Sequence, residues 1–131
     1  MFIIKTVADK TINWPVVVEV AENGGKIKKY EFTAIFKRLN DDDKETLAAQ
    51  SKANEPVEGS EESANAWKER SVDNILRVMM DWKGVQDENN TPIEFNRDNL
   101  LAAARSQDGI SILRGINTAI AEINTGARVK N

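Results

Sequence analysis

The sequence predicts an α+β fold: an N-terminal β-hairpin or small antiparallel sheet followed by a mainly helical C-terminal part of about four helices. Three observations predict it. Two β-rich runs, 14–21 and 26–39, flank the turn tripeptide Asn23-Gly24-Gly25. From about residue 61 onward, apolar residues recur at three- and four-residue steps, the spacing of a helix face. The strand signals precede the helical signals instead of alternating with them, which separates an α+β chain from a βαβ one. At 131 residues and 40% hydrophobic content, the chain reads as a single domain, 1–131, able to bury a real core. Within it, 1–39 is the β-hairpin region and 40–131 the helical region.

Residues 2–7, FIIKTV, are β-rich and are expected to form a first strand. In the run 14–21, Trp14, Val16, Val18 and Val20 share one face; in 26–39, Tyr30, Phe32, Ala34 and Phe36 do the same, while Lys29, Glu31, Thr33 and Lys37 point the other way. That period-2 alternation describes a sheet with one buried and one wet face. Asn40 stands at an N-cap, with Asp41, Asp42 and Asp43 in the first turn of a helix reaching about Gln50 or Ser51. The polar, acidic stretch from about 51 to 60, broken by Pro56 and Gly59, reads as a mobile loop. Ser60 is expected to cap a helix over roughly 61–83. Ala64, Trp67, Ser71, Ile75, Met79 and Trp82 form its stripe, Val72, Leu76 and Met80 flank it, and Gly84 stops it. Asn96 caps a short helix at about 97–105. Asp108 caps the last, about 109–124, whose stripe is Ile112, Leu113, Ile116, Ile120 and Ile123; Gly126 stops it.

Composition excludes several chemistries. Without cysteine or histidine there is no disulfide, no thiolate nucleophile, no Cys/His zinc site and no Ser-His-Asp triad. The net charge is −3, and the acidic excess sits in the middle of the chain. No basic field predicts nucleic-acid binding. Asp87, Asn89 and Thr91 stand at alternate positions like calcium-loop ligands, but Pro92 occupies the place where such a loop needs glycine. Consecutive acids at 41–43 diverge around a helix axis and do not converge on a metal. Glu58, Glu61 and Glu62 lie in the most polar stretch, where nothing would shift a carboxylate pKa. No signature of an enzyme, a metal site or a cofactor site emerges. No run is long enough for a signal peptide or a membrane span, so the expected compartment is a cytoplasm. The stripe Trp67–Ile75–Met79–Trp82 reads either as core or as a face left open for a partner, with Met79 and Met80 making such a face adaptable.

Three motifs carry a resemblance. WPVVVEVAENGGKIKKYEFTAIFKRL holds a Trp14-Pro15 strand, a Gly24-Gly25 turn, and Phe32, Thr33, Phe36, Arg38 and Leu39 in an F-T-x-x-F-x-R-L strand. DWKGVQDENNTPIEF holds Asp81, Trp82, Lys83, Gly84 and Val85, then Pro92 and Phe95. The ending is TGARVKN. In this order they resemble the tail assembly chaperones of long-tailed phages and prophages. The resemblance implies a non-catalytic assembly factor that binds the tape measure protein, keeps it soluble, and hands it to polymerising tail tube subunits. It would act in the host bacterial cytoplasm and be absent from the mature virion. The major tail protein and further copies of the chain are additional partners it admits; a membrane or a nucleic acid is not expected. A client groove bounded by the helices at 61–83 and 109–124 would be lined by Trp67, Ile75, Met79, Met80, Trp82, Leu113, Ile116 and Ile120. Two other classes stay open: a structural tail component (tube or tail completion protein), for which the hairpin speaks, and a nucleic-acid-binding regulatory module, for which only Lys26, Lys28 and Lys29 speak.

Overall fold

The computed structural model describes residues 1–6, 10–53 and 63–126. Strand β1 (Thr11–Glu22) and strand β2 (Lys26–Lys37) form a long antiparallel hairpin. Helix α1 (Asp41–Ala53) and helix α2 (Ala64–Leu76) follow, then strand β3 (Met79–Lys83), helix α3 (Arg97–Arg105) and helix α4 (Gly109–Thr125). The sheet is antiparallel throughout, in the order β1-β2-β3. The fold class is the expected α+β.

The hairpin follows directly from the sequence. Asn23-Gly24-Gly25 makes the turn, with φ of 84° at Gly24 and 77° at Gly25, a region most side chains avoid. The register sets Trp14 opposite Ala34, Val16 opposite Phe32, and Val18 opposite Tyr30. One face therefore carries the apolar set. Val16, Val18, Ala34 and Phe36 are buried there.

Residues 1–6 contain no strand, contrary to the expectation for 2–7; Phe2, Ile3 and Ile4 are exposed. The third strand comes instead from Met79–Lys83, inside the stretch expected to be helical. Helix α2 starts after Ser63, whose hydroxyl accepts the Ala66 N–H, and ends at Leu76. Its last turn tightens as Arg77 N–H donates to the Asn74 carbonyl and Val78 N–H to the Ile75 carbonyl. The chain then pairs with β2, and Lys37 N–H donates to the Val78 carbonyl at 2.7 Å. The physical reason lies in β2. In an isolated hairpin, its second edge would leave backbone polar groups unpaired beside a buried face, and β3 satisfies them.

The misreading has a geometric cause. Met79 pairs with Phe36 and Asp81 with Ile35, so Met80 is an extra residue, a β-bulge. Met80 and Asp81 are both exposed, between the buried Met79 and Trp82. Two inward residues three apart imitate a helical step.

The other elements lie close to expectation. The Asn40 side chain accepts the Asp43 N–H at 2.8 Å, and that of Asn96 the Asn99 N–H at 2.8 Å. Helix α1 continues to Ala53, so 51–53 are helical; the rest of the expected loop, and Ser60, fall outside the described residues. Asp108 occupies the N-cap position of α4 without making a side-chain cap bond, and Gly126 closes that helix. Gly84 follows a strand, not a helix.

Helix α4 packs on β1, and α3 packs on α2 and α4. Gly115 explains how close α4 comes: a Cβ there would run into the Val17 carbonyl oxygen and stand 3.2 Å from Val16 Cγ1. Ile116, Leu113 and Ala119 then reach the same core as Val16, Phe36, Ile75 and Met79. Each such large side chain contributes on the order of 1.5–3 kcal/mol by leaving water. The Trp14 indole N–H donates across the fold to Glu122 Oε1 at 3.2 Å, giving that buried carboxylate a partner. Two exposed ion pairs tie α2 to α3: Arg97 Nε to Asp73 at 3.0 Å and Arg105 to Glu69 at 2.8 Å. The hydrogen bond and charge of Asp73 hold Arg97 above its ordinary pKa.

Candidate functional site: an aromatic groove under the hairpin arm

The hairpin outruns the helices that cover it. Residues 21–31 are exposed along the whole turn end, forming an arm. The Tyr30 hydroxyl donates to Glu22 Oε1 at 2.8 Å, and Lys28 Nζ lies 5.0 Å from the Tyr30 ring centre. The Tyr30–Glu22 bond braces the two strands where no core supports them, and the Lys28 contact stays within β2.

Beneath the arm is an open groove of about 550 Å³. Val18, Val20, Tyr30 and Phe32 contribute from the hairpin, Trp82 and Val85 from β3 and beyond, and Ile112 from α4. Its charged lining residues are Glu22, Glu31 and Asp108; no cation is among them. The surface is thus apolar and aromatic with carboxylates around it.

Trp82 fixes the floor. Its ring meets Phe32 edge-on at 6.2 Å and Phe95 edge-on at 5.0 Å. Its indole N–H donates to the Ile93 carbonyl at 2.7 Å. Ile93 is held in turn, because its N–H donates to the Val85 carbonyl and Gln86 bridges to Pro92. At the loop tip, Asp87 Oδ1 accepts the backbone N–H groups of Asn89 at 2.8 Å and Thr91 at 3.0 Å. The acid that resembled a calcium ligand is an Asx-type loop organiser. Among the described residues, no group of three or more acidic side chains is disposed to hold a metal ion, and no helix is long and apolar enough to cross a membrane.

The eight residues expected to line one inter-helical groove are dispersed by the fold. Ile75, Met79, Leu113 and Ile116 are core. Trp82 is 6% exposed and serves as floor of the arm groove. Trp67 and Ile120 line a separate hollow of about 430 Å³ with residues of α1, α2 and α4. Met80 is exposed at the opposite end of the sheet. The eight do not share one groove, because 77–83 leaves the helix; the hollow between α2 and α4 takes Trp67 and Ile120 from among them. Tyr30, Phe32, Val85 and Ile112 line the groove without being among the residues expected to bind a partner. The signal that marks two of them is the resemblance itself: Phe32 from the first motif and Val85 from the second, with Trp82 and Gly84, line the same groove.

Comparison of the chain with protein-family models, curated proteins and solved structures gives no match in any of the three.

Proposed function

We propose that this protein is a non-catalytic tail assembly chaperone, which binds an amphipathic segment of the tape measure protein in the groove under the hairpin arm. What supports this reading is a convergence. Phe32, Trp82, Gly84 and Val85 belong to two motifs of the resemblance far apart in the sequence, and all four line one open groove. Its chemistry suits such a client. An apolar floor takes the apolar face of a helix, and Glu22 and Asp108 favour basic residues beside it. Half-exposed Tyr30 and a narrow contact surface give modest affinity, which a chaperone needs if polymerising tube subunits are to displace it. Many copies along one long client would then hold it by avidity. The protein works in the host cytoplasm during assembly and leaves before the particle matures.

Co-expression with a phage tape measure protein tests the proposal. The client is expected to stay soluble and to co-purify with the chain, and purified particles to lack the chain. An insoluble client with no recoverable complex overturns the reading, and the chain's presence in mature particles at tube stoichiometry replaces it with a structural role.

A further inference from the structure

The opposite end of the sheet carries a second groove, with the reverse charge. It holds about 790 Å³ between the start of β1, the end of β2 with the following 38–43 segment, and the α2–β3 turn. It lies toward the other end of the hairpin from the arm groove, beside Thr11 and Lys37 instead of Val20 and Tyr30. Leu39, Leu76 and Met80 form its apolar part. Lys10, Lys37, Arg38 and Arg77 surround them, and Asp43 is the one carboxylate in its lining. Lys10, Lys37 and Arg38 are exposed, and their side chains make no ion pair among the described residues.

The backbone fixes this arrangement. Arg38 N–H donates to the Lys10 carbonyl at 3.0 Å, and Lys37 N–H to the Val78 carbonyl at 2.7 Å. The ends of all three strands are thereby tied together, and the residues that carry the cations with them. Met80, the extra residue of the bulge, is 56% exposed.

We infer that this groove docks an acidic amphipathic segment of another protein: an apolar side chain rests on Leu39, Leu76 and Met80 while flanking carboxylates pair with Lys10, Lys37 and Arg38. Charge complementarity names the sign of the partner, and the arginine fork favours carboxylates as two-point acceptors. A nucleic acid fits less well. The floor has no aromatic ring on which a base can stack. Asp43, in the first turn of α1, lines the groove and repels a continuous phosphate chain, whereas a peptide can hold its few carboxylates clear of it. The inference does not rest on the client assigned to the arm groove, since the two surfaces share no lining residue.

Fluorescence anisotropy with the full chain tests it. The probes are a labelled peptide of leucine and glutamate at helical spacing, its leucine–lysine counterpart, and a single-stranded oligo-dT. The acidic peptide is expected to bind about tenfold or more tighter than the basic one, and less tightly as salt rises. The double variant Lys37→Glu/Arg38→Glu and the single variant Met80→Glu should each weaken it by about tenfold at unchanged far-UV circular dichroism. Val20→Asp, in the arm groove, should leave it unaltered. Equal binding of the two peptides, or binding that survives the charge reversal, overturns the inference. Tighter binding of the oligonucleotide, lost in the same double variant, overturns it in favour of a nucleic-acid surface.

Discussion

Met79 and Met80 are neighbours with opposite fates, and that contrast is testable. Met79 is 2% exposed and packed in the core, whereas Met80 is 56% exposed on the bulge. Met79→Asp would bury an unpaired charge and should destabilise the fold by about 3–5 kcal/mol. Met80→Asp should stay within about 0.5 kcal/mol of the parent. Urea unfolding followed by tryptophan fluorescence separates them. Gly115 offers a second test at this scale. Ala is normally the better helix former by about 1 kcal/mol. Here its methyl would strike the Val17 carbonyl, so Gly115→Ala should instead destabilise by about 1–3 kcal/mol and lower the thermal midpoint. Neither contrast is legible in the sequence. A methionine pair and a mid-helix glycine carry no local sign of which backbone lies against them.

At the scale of elements, the bulge in β3 makes a prediction that a helix would not. Removing Met80 leaves Met79 opposite Phe36, Asp81 opposite Ile35 and Trp82 opposite Ala34, which is a regular ladder with the inward residues still inward. The deletion should therefore keep the fold, at a loss of about 1–2 kcal/mol for the altered twist. In a helix, it would turn every following residue by about 100° and ruin the stripe. Strand-type Cα and Cβ chemical shifts over 79–83 in both proteins would check this. The hairpin, by contrast, was readable almost residue by residue, as were the caps at Asn40 and Asn96 and the stop at Gly126. Those elements are specified by local rules: alternation, turn residues, and side chains that satisfy their own helix end. Segment 77–83 obeys a non-local one. Its conformation is decided by the vacant edge of β2, which no window of sequence around Met80 contains.

The whole molecule is a sheet with helices over its middle and a groove at each end, one ringed by carboxylates and one by cations. The arm that roofs the first groove contributes little to the core, since residues 21–31 are exposed. Shortening it by the Ala21–Ile27 and Glu22–Lys26 pairs preserves the facing of every remaining residue. Such a variant should melt within about 2–4 °C of the parent, a shift that corresponds to less than about 1 kcal/mol in a domain of this size. Under the proposed function, its affinity for the client should drop about tenfold, because the Tyr30–Glu22 brace is lost. Titration calorimetry with a client peptide, alongside the melt, distinguishes a binding arm from a structural one.

The α+β class, the hairpin with its turn and its buried face, the caps at Asn40 and Asn96, the stop at Gly126 and the apolar identity of most core positions are legible in the sequence alone. Each of these follows from interactions within a few residues or from strict periodicity. That 79–83 is a strand, that Ile75, Met79, Leu113 and Ile116 are core, and that Phe32, Trp82 and Val85 meet under the arm follow from contacts between distant segments. Those outcomes depend on which backbone edge needs a partner and which face another element covers. A bulged strand and a helix place inward side chains at the same spacing, so their distinction had to come from the neighbour that accepts the hydrogen bonds.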